Sequence, residues 1–560
     1  MRVTSGGDRA TPSVSAQRPT ARPSAAFQAG LLILAFLLGF VVCQGDWHRP
    51  LTAWVASFVQ RPAFTVTALL HRSELPSLGI DLSFRNYQSL LEVRSHAVAQ
   101  GSHSVQDLDY VPATVRLVGD ASSVLMRFPA GSVERLAGDR WPFEVLVEDG
   151  DLFGMRHLRL TPADEFVLMT WGYLETLRQS GLLSVRYEPV RVVLNGTPKG
   201  LYVVEEVPTI DSLEMWGRAT DVIVSYDQSA YWEARTRLRD ALPGGGFQYA
   251  RITTLCPSTP AGTDEELTGA DHQSMAICDR ASADLQALQT GDRAPSELLD
   301  AEKVGEFLAL TTLWRGTAQL DWRAVHWVYD PVAARFELIG TASMFTPIAP
   351  LPSTYTDDPL IQVAYVRALE RFSNPDFLAE LRTSLQADLE AMQLALGTDL
   401  GYFELPWAVL ESNQDVMRRQ ITPSQPLFAS IGADQATLTL NLVNTQPFPI
   451  EILDLDIGES FLLPVSRSWV DPASQDGLVN AGVADASDSV VLHAARAEGP
   501  YVVLLRVPSE SLPTDIGWAQ QTPGAIQVIT RVVGRPAQRI AVTVYPDDPT
   551  VFPSSGETLP

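Results

Sequence analysis

The sequence is short of lysine and of catalytic signatures, and each shortage excludes a kind of site. Lys199 and Lys303 are the only lysines in the chain, so a mechanism that needs a lysine has just two candidates. The chain contains no G-x-S-x-G, H-E-x-x-H or G-x-x-x-x-G-K-[ST] motif, which are the usual signatures of α/β-hydrolases, zinc proteases and P-loop NTPases. Generic motifs therefore do not reveal a function.

Length and charge narrow the class of protein further. The chain has 560 residues, of which 46% are hydrophobic and 19% charged. This composition predicts two or three packed domains and excludes a disordered regulator. Sixty-six acidic residues against 41 basic ones give a net charge of -25. Because such a charge repels phosphate backbones, we expect no nucleic-acid partner.

One long apolar run, at residues 24–43, has the length that a helix needs to cross a bilayer. Arginines dominate the segment before it, so the positive-inside rule places the tail 1–23 in the cytoplasm and the bulk of the chain outside. The sequence thus predicts a single-pass membrane helix over 24–44 and an amphipathic linker over 45–76. A cleaved signal peptide is the alternative, although no small-x-small cleavage site follows the apolar core.

Residues 77–423 are predicted to form one domain of mixed structure. Alternating apolar residues indicate strands in its first half, with a hairpin over 190–206 and a helix over 163–179. From about residue 295 to 400 the apolar spacing is helical, with Asp300 as the predicted cap of one helix. The domain therefore combines a strand-rich part with a helical part.

The stretch 243–295 is rich in Gly, Pro, Thr and Asp and is predicted to be a surface-loop insertion. It contains Cys256 and Cys278, and two cysteines in one loop of an exported chain are expected to pair. Metal binding is the alternative, since His272 lies between them. The chain has no C-x-x-C spacing and no second histidine nearby, so we predict a disulfide.

A different pattern begins near residue 424. Short alternating runs separated by turn residues are typical of a small antiparallel sandwich. These runs lie at 436–444, 448–457, 489–495, 501–508, 526–534 and 539–546. The sequence thus predicts a β-sandwich domain over 424–548 and a tail over 549–560.

Six segments occur in an informative order along the chain. They are VRLVGD (115–120), RWPFEVLV (140–147), FGMRHLRL (153–160), GLLSVRYEPVRVVLNGTPKGLYVVEE (181–206), LEMWGRATDVIVSYD (213–227) and LDWRAVHWVYDPVAARFELIGTASM (320–344). The set resembles the CotH family, the spore-coat-type atypical kinases with many exported bacterial relatives. The resemblance implies an α+β fold class, with a CotH or protein-kinase-like core between the N-terminal transmembrane helix and the C-terminal antiparallel β-sandwich.

Active members of that family bind ATP and magnesium and phosphorylate serines on partner proteins. The transfer needs cations on the phosphates and oxygen ligands on the magnesium. In this chain the family's two lysines fall on Val118 and Ser225, its acidic-or-histidine and asparagine positions fall on Ala318 and Ala324, and its metal-binding aspartate falls on Ala342. Valine and serine carry no cation and alanine cannot coordinate magnesium. The resemblance therefore implies that the chemistry is lost.

Five residues remain as candidates, and no metal site is expected. Asp321 is the catalytic candidate, because it lies near the segment that carries the family's catalytic groups. The alternative is that Asp321 is simply a polar residue at a helix end. Arg116, Glu205, Glu206 and Asp227 are the candidates for nucleotide contact. An equal alternative is that the two glutamates are structural partners of nearby arginines.

Together these inferences predict a membrane-anchored, extracytoplasmic pseudokinase that binds or scaffolds an exported or envelope protein, without a cofactor. One alternative is an active kinase that uses ATP and Mg, with displaced catalytic groups, to phosphorylate an exported protein. A second alternative is a purely structural envelope protein that binds no nucleotide. The residues do not identify the partner.

Overall fold

A computed structural model gives the fold. It describes residues 75–104, 109–238, 243–256, 269–342, 351–400, 404–431, 438–457, 462–479, 489–495, 502–512 and 526–546. Within these ranges no helix combines the length and the apolar character needed to cross a bilayer. The predicted cytoplasmic tail, the predicted membrane helix, the linker up to residue 74 and the C-terminal tail lie outside the described residues.

The strands up to residue 420 form a closed barrel, a five-stranded sheet and a two-stranded sheet of β2 and β5, and helices pack against them. The strands are β1 (Ser77–Asp81), β2 (Ser102–His103), β3 (Val111–Leu117), β4 (Asp120–Arg127), β5 (Gly131–Ser132), β6 (Phe143–Val147), β7 (His157–Pro162), β8 (Leu183–Ser184), β9 (Tyr187–Leu194), β10 (Thr197–Glu206), β11 (Val222–Asp227), β12 (Arg251–Leu255), β13 (His326–Asp330) and β14 (Arg335–Gly340). The helices are α1 (Phe84–Gln100), α2 (Val167–Gln179), α3 (Ile210–Met215), α4 (Ser229–Leu238), α5 (Gly269–Thr290), α6 (Pro295–Leu298), α7 (Ala301–Trp314), α8 (Ser353–Thr356), α9 (Pro359–Phe372), α10 (Pro375–Leu400) and α11 (Trp407–Gln420).

Seven of these strands close into a barrel in the order β1-β3-β4-β6-β7-β10-β9. The barrel closes because β1 pairs antiparallel with β3 on one side and parallel with β9 on the other. Side chains at alternate positions, such as Val145, Leu158 and Val204, fill its interior. The predicted hairpin is present as β9 and β10, joined at Asn195 and Gly196.

Helix α1 packs on the barrel and was not foreseen, since the sequence indicated only strands and short helices in this part. Ser83 caps its start by accepting a hydrogen bond from the Asn86 N–H. Gly101 ends it at a φ of 85°, which a glycine adopts without strain. Leu90 and Ala97 bury one side of the helix in the barrel's core.

The second sheet has five strands in the order β12-β11-β13-β14-β8. Helices α2, α7, α9 and α11 bury it in the larger of the two main cores. Asp300 caps α7, as predicted, by accepting a hydrogen bond from the Lys303 N–H at 3.2 Å. Helix α2 begins at Val167, four residues later than the predicted start.

The predicted surface loop over 243–295 contains regular structure, so that prediction is wrong. The segment includes strand β12 and the 22-residue helix α5. Cys278, Ala281 and Leu285 lie on one side of α5 and are buried in the larger core. The segment is rich in turn-forming residues, so its composition favoured a loop, although the spacing of these apolar residues is helical.

The C-terminal strands are β15 (Leu427–Ile431), β16 (Leu438–Asn444), β17 (Ile450–Asp456), β18 (Leu462–Pro464), β19 (Val490–Leu492), β20 (Val502–Val507), β21 (Gln527–Val532) and β22 (Ile540–Pro546). They form one eight-stranded sheet, in which β15 and β22 pair in parallel. The sheet also shares the larger core with the helices before it. Tyr365 of α9, for example, lies against Phe448 with ring centroids 6.0 Å apart.

The predicted fold class is therefore wrong. The described residues form a mixed α/β structure with a closed seven-stranded barrel and three further sheets, of five, eight and two strands, rather than a kinase-like core followed by an antiparallel sandwich. The predicted transmembrane helix over 24–44 lies outside the described residues. Alternation reveals strands and their buried faces, but the pairing partners are decided by contacts between distant segments, such as the parallel pairing of β1 with β9.

Candidate functional site

Strand β10 connects the barrel to the rest of the protein. Tyr202 and Val204 lie in the barrel's core, whereas Leu201 and Val203 belong to the larger core. Because side chains alternate along a strand, Glu205 continues the outer face of the barrel. It therefore lies at the seam between the barrel and the five-stranded sheet.

Glu205 is buried at this seam and contacts one of the positions that the family resemblance singled out. Its Oε1 accepts a hydrogen bond from the Ala342 N–H at 2.9 Å, and its Oε2 lies 3.9 Å from Nη1 of Arg159. Burial raises the pKa of Glu205, although Arg159 and the Ala342 N–H act against this rise. The structure thus brings Glu205 and Ala342 together, but the alanine side chain has no oxygen to offer a metal ion.

Glu206 is held in an internal ion pair. Arg186 donates from Nη2 to Oε1 at 2.8 Å and from Nε to Oε2 at 3.0 Å, and the Ser212 hydroxyl donates to Oε1 at 2.5 Å. Burial alone would raise the pKa of Glu206, but the hydrogen bonds from Arg186 and Ser212 hold it below its usual value. Arg186 also donates to the carbonyl groups of Phe153 and Gly154. Glu206 is therefore a structural partner of an arginine.

Ala318 lies within the 3-10 helix Thr317–Leu320, and Asp321 and Ala324 lie in the turn that follows this helix. The Asp321 N–H donates to the Ala318 carbonyl, and the Ala324 N–H donates to the Asp321 carbonyl. Arg323 donates from Nε to Oδ1 of Asp321 at 2.7 Å and from Nη2 to Oδ2 at 3.0 Å. Burial would raise the pKa of Asp321, but these bonds lower it below its ordinary value. Both carboxylate oxygens are therefore engaged within the turn.

Asp227 and Ser225 lie on β11, and Asp227 has a local role at the end of that strand. Its Oδ1 accepts hydrogen bonds from the Ser229 N–H at 2.9 Å and the Ser229 hydroxyl at 2.7 Å, which stabilises the first turn of α4. Ser225 is paired with Thr253 of β12. The structure places both residues on the five-stranded sheet.

Arg116 and Val118 lie on the barrel surface, in and just after β3. Arg116 pairs with Asp81, Nε to Oδ2 at 3.1 Å, and both side chains are largely exposed. Val118 lies in the two-residue turn between β3 and β4, and its side chain is 87% exposed. In the part of the chain that the structure describes, neither residue contacts Glu205 or Asp321.

Val118 has a φ of 52° and is followed by Gly119 at a φ of 98°. Positive φ at both residues defines a type I′ hairpin turn, which favours Asn-Gly and disfavours a β-branched residue. We expect Val118→Asn to raise the free energy of unfolding by about 1 kcal/mol. Urea denaturation measures this change.

Val332→Asn is the matched control for this prediction, because Val332 is 92% exposed but is not among the residues with positive φ. We expect it to change stability by less than about 0.5 kcal/mol. An equal gain from both variants would show that polarity, and not backbone strain at Val118, is responsible.

A row of alternating charge crosses the outside of the barrel, and it was not predicted from the sequence. The strand register places Arg127 opposite Glu144, Glu144 opposite Arg159, and Arg159 opposite Glu205. The row thus runs over β4, β6, β7 and β10 and ends at the seam. In the sequence, the row is visible only as a charged residue at one outward position of each strand. The pairing of opposite charges can be recognised only when the neighbouring strands are known.

Glu144 is the best-bonded member of this row. It accepts hydrogen bonds from the Tyr110 hydroxyl at 3.0 Å, from Nη2 of Arg127 at 2.9 Å and from Nε2 of His157 at 2.9 Å. Burial would raise the pKa of Glu144, but the hydrogen bonds from His157 and Arg127 lower it to about 2. The carboxylate is therefore charged at all physiological pH values.

Cys256 and Cys278 are joined by a disulfide, with their Cα atoms 6.1 Å apart. The bond links the end of β12 to helix α5. Residues 257–268 of the enclosed segment lie outside the described ranges. A disulfide of this kind is typical of proteins that fold outside the cytoplasm.

Among the described residues, no group of three or more His, Cys, Asp and Glu side chains is arranged to hold a metal ion. In comparisons with known proteins, no family model matches the chain, and no curated protein matches it either. The resemblance to the CotH family therefore remains a prediction that depends on the segments quoted above.

Proposed function

We propose that this protein is a binding or scaffolding protein that acts outside the cytoplasm and does not transfer phosphate. The observation that carries the proposal is that its candidate carboxylates are hydrogen-bonded to other groups of the same chain. Glu206 is bonded to Arg186, Asp321 to Arg323, and Glu205 to the Ala342 N–H. Carboxylates that are bonded to other groups of the same chain have a structural role.

The chemistry of phosphate transfer supports the same proposal. A magnesium ion needs oxygen ligands, and the triphosphate needs cations placed against it. Ala342, which contacts Glu205, supplies only a methyl group, and Val118 is exposed in a hairpin turn. For Asp321 to act as a base or a ligand, it would first have to leave Arg323, and this would cost its two charge-assisted hydrogen bonds.

The disulfide and the charge support the proposed location and the kind of partner. The Cys256–Cys278 bond suits an oxidising compartment, and a net charge of -25 disfavours nucleic acid. We therefore propose an exported or envelope protein as the partner. Attachment to the membrane remains a prediction, because residues 1–74 lie outside the described ranges.

A thermal-shift titration of the full-length chain with ATP tests the proposal, in the absence and presence of Mg²⁺ or Mn²⁺. We expect no shift under any of these conditions. A ligand that binds only the folded state at 100 times its Kd would stabilise it by about 2.7 kcal/mol, so binding would be readily detected. A metal-dependent shift that Asp321→Asn abolishes, together with phosphate transfer to serine, would overturn the proposal in favour of an active kinase.

A further inference from the structure

Strand β12 forms one edge of the five-stranded sheet, and no strand pairs with its outer side among the described residues. It pairs antiparallel with β11 over Arg251–Leu255, without a register shift. In an antiparallel pair, every second residue of an edge strand directs its N–H and C=O groups away from the neighbouring strand. The outer side of β12 therefore presents backbone donors and acceptors that a further strand can bind.

The other open sheet edges in the described ranges are short or covered. Strands β2, β5 and β8 have two residues each, and β18 and β19 have three. Strand β20 is covered where the Asp471 N–H donates to the Leu504 carbonyl at 2.9 Å. Proteins commonly protect sheet edges in these ways. Strand β12, by contrast, has five residues and contains neither a proline nor a bulge.

One face of β12 is open to solvent. Arg251, Thr253 and Leu255 are exposed on this face, and Leu255 is 43% exposed. On the opposite face Ile252 packs against the larger core. Tyr226, which lies beside Ile252 in the strand register, accepts a hydrogen bond from helix α5. A strand that is added to β12 would therefore meet an arginine, a threonine and a leucine at alternate positions of the exposed face.

Arg251 is available to an acidic group of a partner. Asp227 lies opposite it in the strand register, but Oδ1 of Asp227 accepts hydrogen bonds from the N–H and the hydroxyl of Ser229. In the part of the chain that the structure describes, Arg251 forms no ion pair. Its charge can therefore be paired by a carboxylate on an added strand.

The far end of β12 is fixed before any partner binds. Cys256 follows the last residue of the strand and is joined by a disulfide to Cys278 of α5. This bond holds the end of the edge strand against a helix whose residues are buried in the larger core. An edge that is already ordered loses less conformational entropy on binding.

A second copy of this chain matches the edge poorly. In a symmetric antiparallel pair of two β12 strands centred on Thr253, Arg251 of each copy would lie opposite Leu255 of the other. Neither arginine would then meet an acidic residue, and each leucine would face a charge. A strand from a different protein can satisfy both positions.

We propose that an extended segment of the partner protein adds to the outer edge of β12 as a further antiparallel strand. The segment carries an apolar residue opposite Leu255, a β-branched residue opposite Thr253 and an acidic residue opposite Arg251. The inference rests on the proposed binding function and names the surface that binds and the chemistry of what it binds. Backbone hydrogen bonds supply the affinity, and the alternate side chains supply the specificity. An antiparallel strand is favoured because parallel pairing is slightly less stable per residue.

Titration of the full-length chain with a blocked, fluorescently labelled peptide tests the proposal by fluorescence anisotropy. The probe has the order Val-Ser-Thr-Ser-Glu between Gly-Ser flanks. We expect Arg251→Glu to weaken its binding about fivefold, and a probe with Lys in place of Glu to regain that affinity in the variant. Arg335→Glu is the matched control, because Arg335 is an exposed arginine at the start of β14 in the same sheet. It should leave the affinity unchanged.

Two N-methylated probes test whether the peptide backbone makes the contacts. One carries N-methyl groups on Val, Thr and Glu, and the other carries them on the two Ser residues. Because only every second residue of an added strand donates to β12, we expect one of these probes to bind at least tenfold more weakly and the other to bind like the parent. Hydrogen–deuterium exchange should show fast exchange of the outward amides of β12 in the free protein and slow exchange with the probe bound.

Several results would overturn the inference. These are no binding of the probe, equal losses with both N-methylated probes, equal affinities of the wild type and Arg251→Glu for both charge forms, or slow exchange of every β12 amide in the free monomer. A dimer in sedimentation experiments whose β12 amides are protected would assign the edge to a second copy instead.

These outcomes are separate from those that test the proposed function. A magnesium-dependent ATP shift contradicts the non-enzymatic role and leaves the edge of β12 as a docking surface. Absence of probe binding removes this docking surface and leaves the non-enzymatic role untouched.

Discussion

Replacing Arg186 with methionine is expected to lower the free energy of unfolding by about 3 kcal/mol or more, the cost of leaving a buried carboxylate without its partner. The Glu206 side chain is only 3% exposed and would lose two hydrogen bonds from the guanidinium. The Phe153 and Gly154 carbonyl groups would each lose a donor. Urea denaturation of the full-length chain measures the change.

Two controls separate this effect from the general loss of an arginine. Arg178→Met removes an arginine that is 48% exposed and pairs with Glu175 on α2, so we expect a loss of no more than about 1 kcal/mol. Adding Glu206→Gln to Arg186→Met should restore part of the stability, since the uncompensated charge is then removed. If the double variant is no more stable than Arg186→Met alone, the charge of Glu206 is not the cause.

Acid is expected to destabilise the barrel through Glu144. Its folded-state pKa is about 2, against 4.5 for an unperturbed glutamate, so the unfolded chain binds the proton more tightly. Its contribution to stability is therefore fully present above about pH 4.5 and is lost as the pH falls towards 2. The difference in pKa corresponds to about 3 kcal/mol. Glu144→Gln should lower stability by up to that amount at pH 7.

The pH dependence is the decisive readout for Glu144. We expect the difference in unfolding free energy between the wild type and Glu144→Gln to shrink as the pH is lowered from 7 to 3. Glu148→Gln replaces an exposed carboxylate just after the same strand and should change stability little at any pH. A difference that stays constant with pH would mean that Glu144 acts through packing alone.

The local elements were largely predictable from the residues. The hairpin over 190–206, the cap at Asp300 and six of the eight C-terminal strands all follow from patterns within a dozen residues. Two helices were not predicted. The apolar stripe of α5 lies inside a segment rich in turn-forming residues, and α1 lies in a part of the chain that is rich in strands. In both cases tertiary packing supplied the stability that composition did not indicate.

The candidate site was only partly predictable. The resemblance singled out Glu205 and Ala342, which the structure places in contact. It also singled out Val118, which lies in an exposed turn. Arg159 and Glu144 were missed, because their roles depend on which charged residues lie opposite them on neighbouring strands.

By itself, the sequence determined the acidic balance, the scarcity of lysine, the positions of the 190–206 hairpin and of six C-terminal strands, and the identity of the side chains that could perform chemistry. Only the tertiary structure decided that seven strands close into a barrel and that the C-terminal strands form one mixed sheet. It also decided that Glu206 and Asp321 are bonded to arginines and that Arg159 lies opposite Glu205 on a neighbouring strand. The physical reason is that local patterns depend on neighbours along the chain. Strand pairing, burial and charge pairing depend on residues that are distant in the chain and meet only in the folded protein.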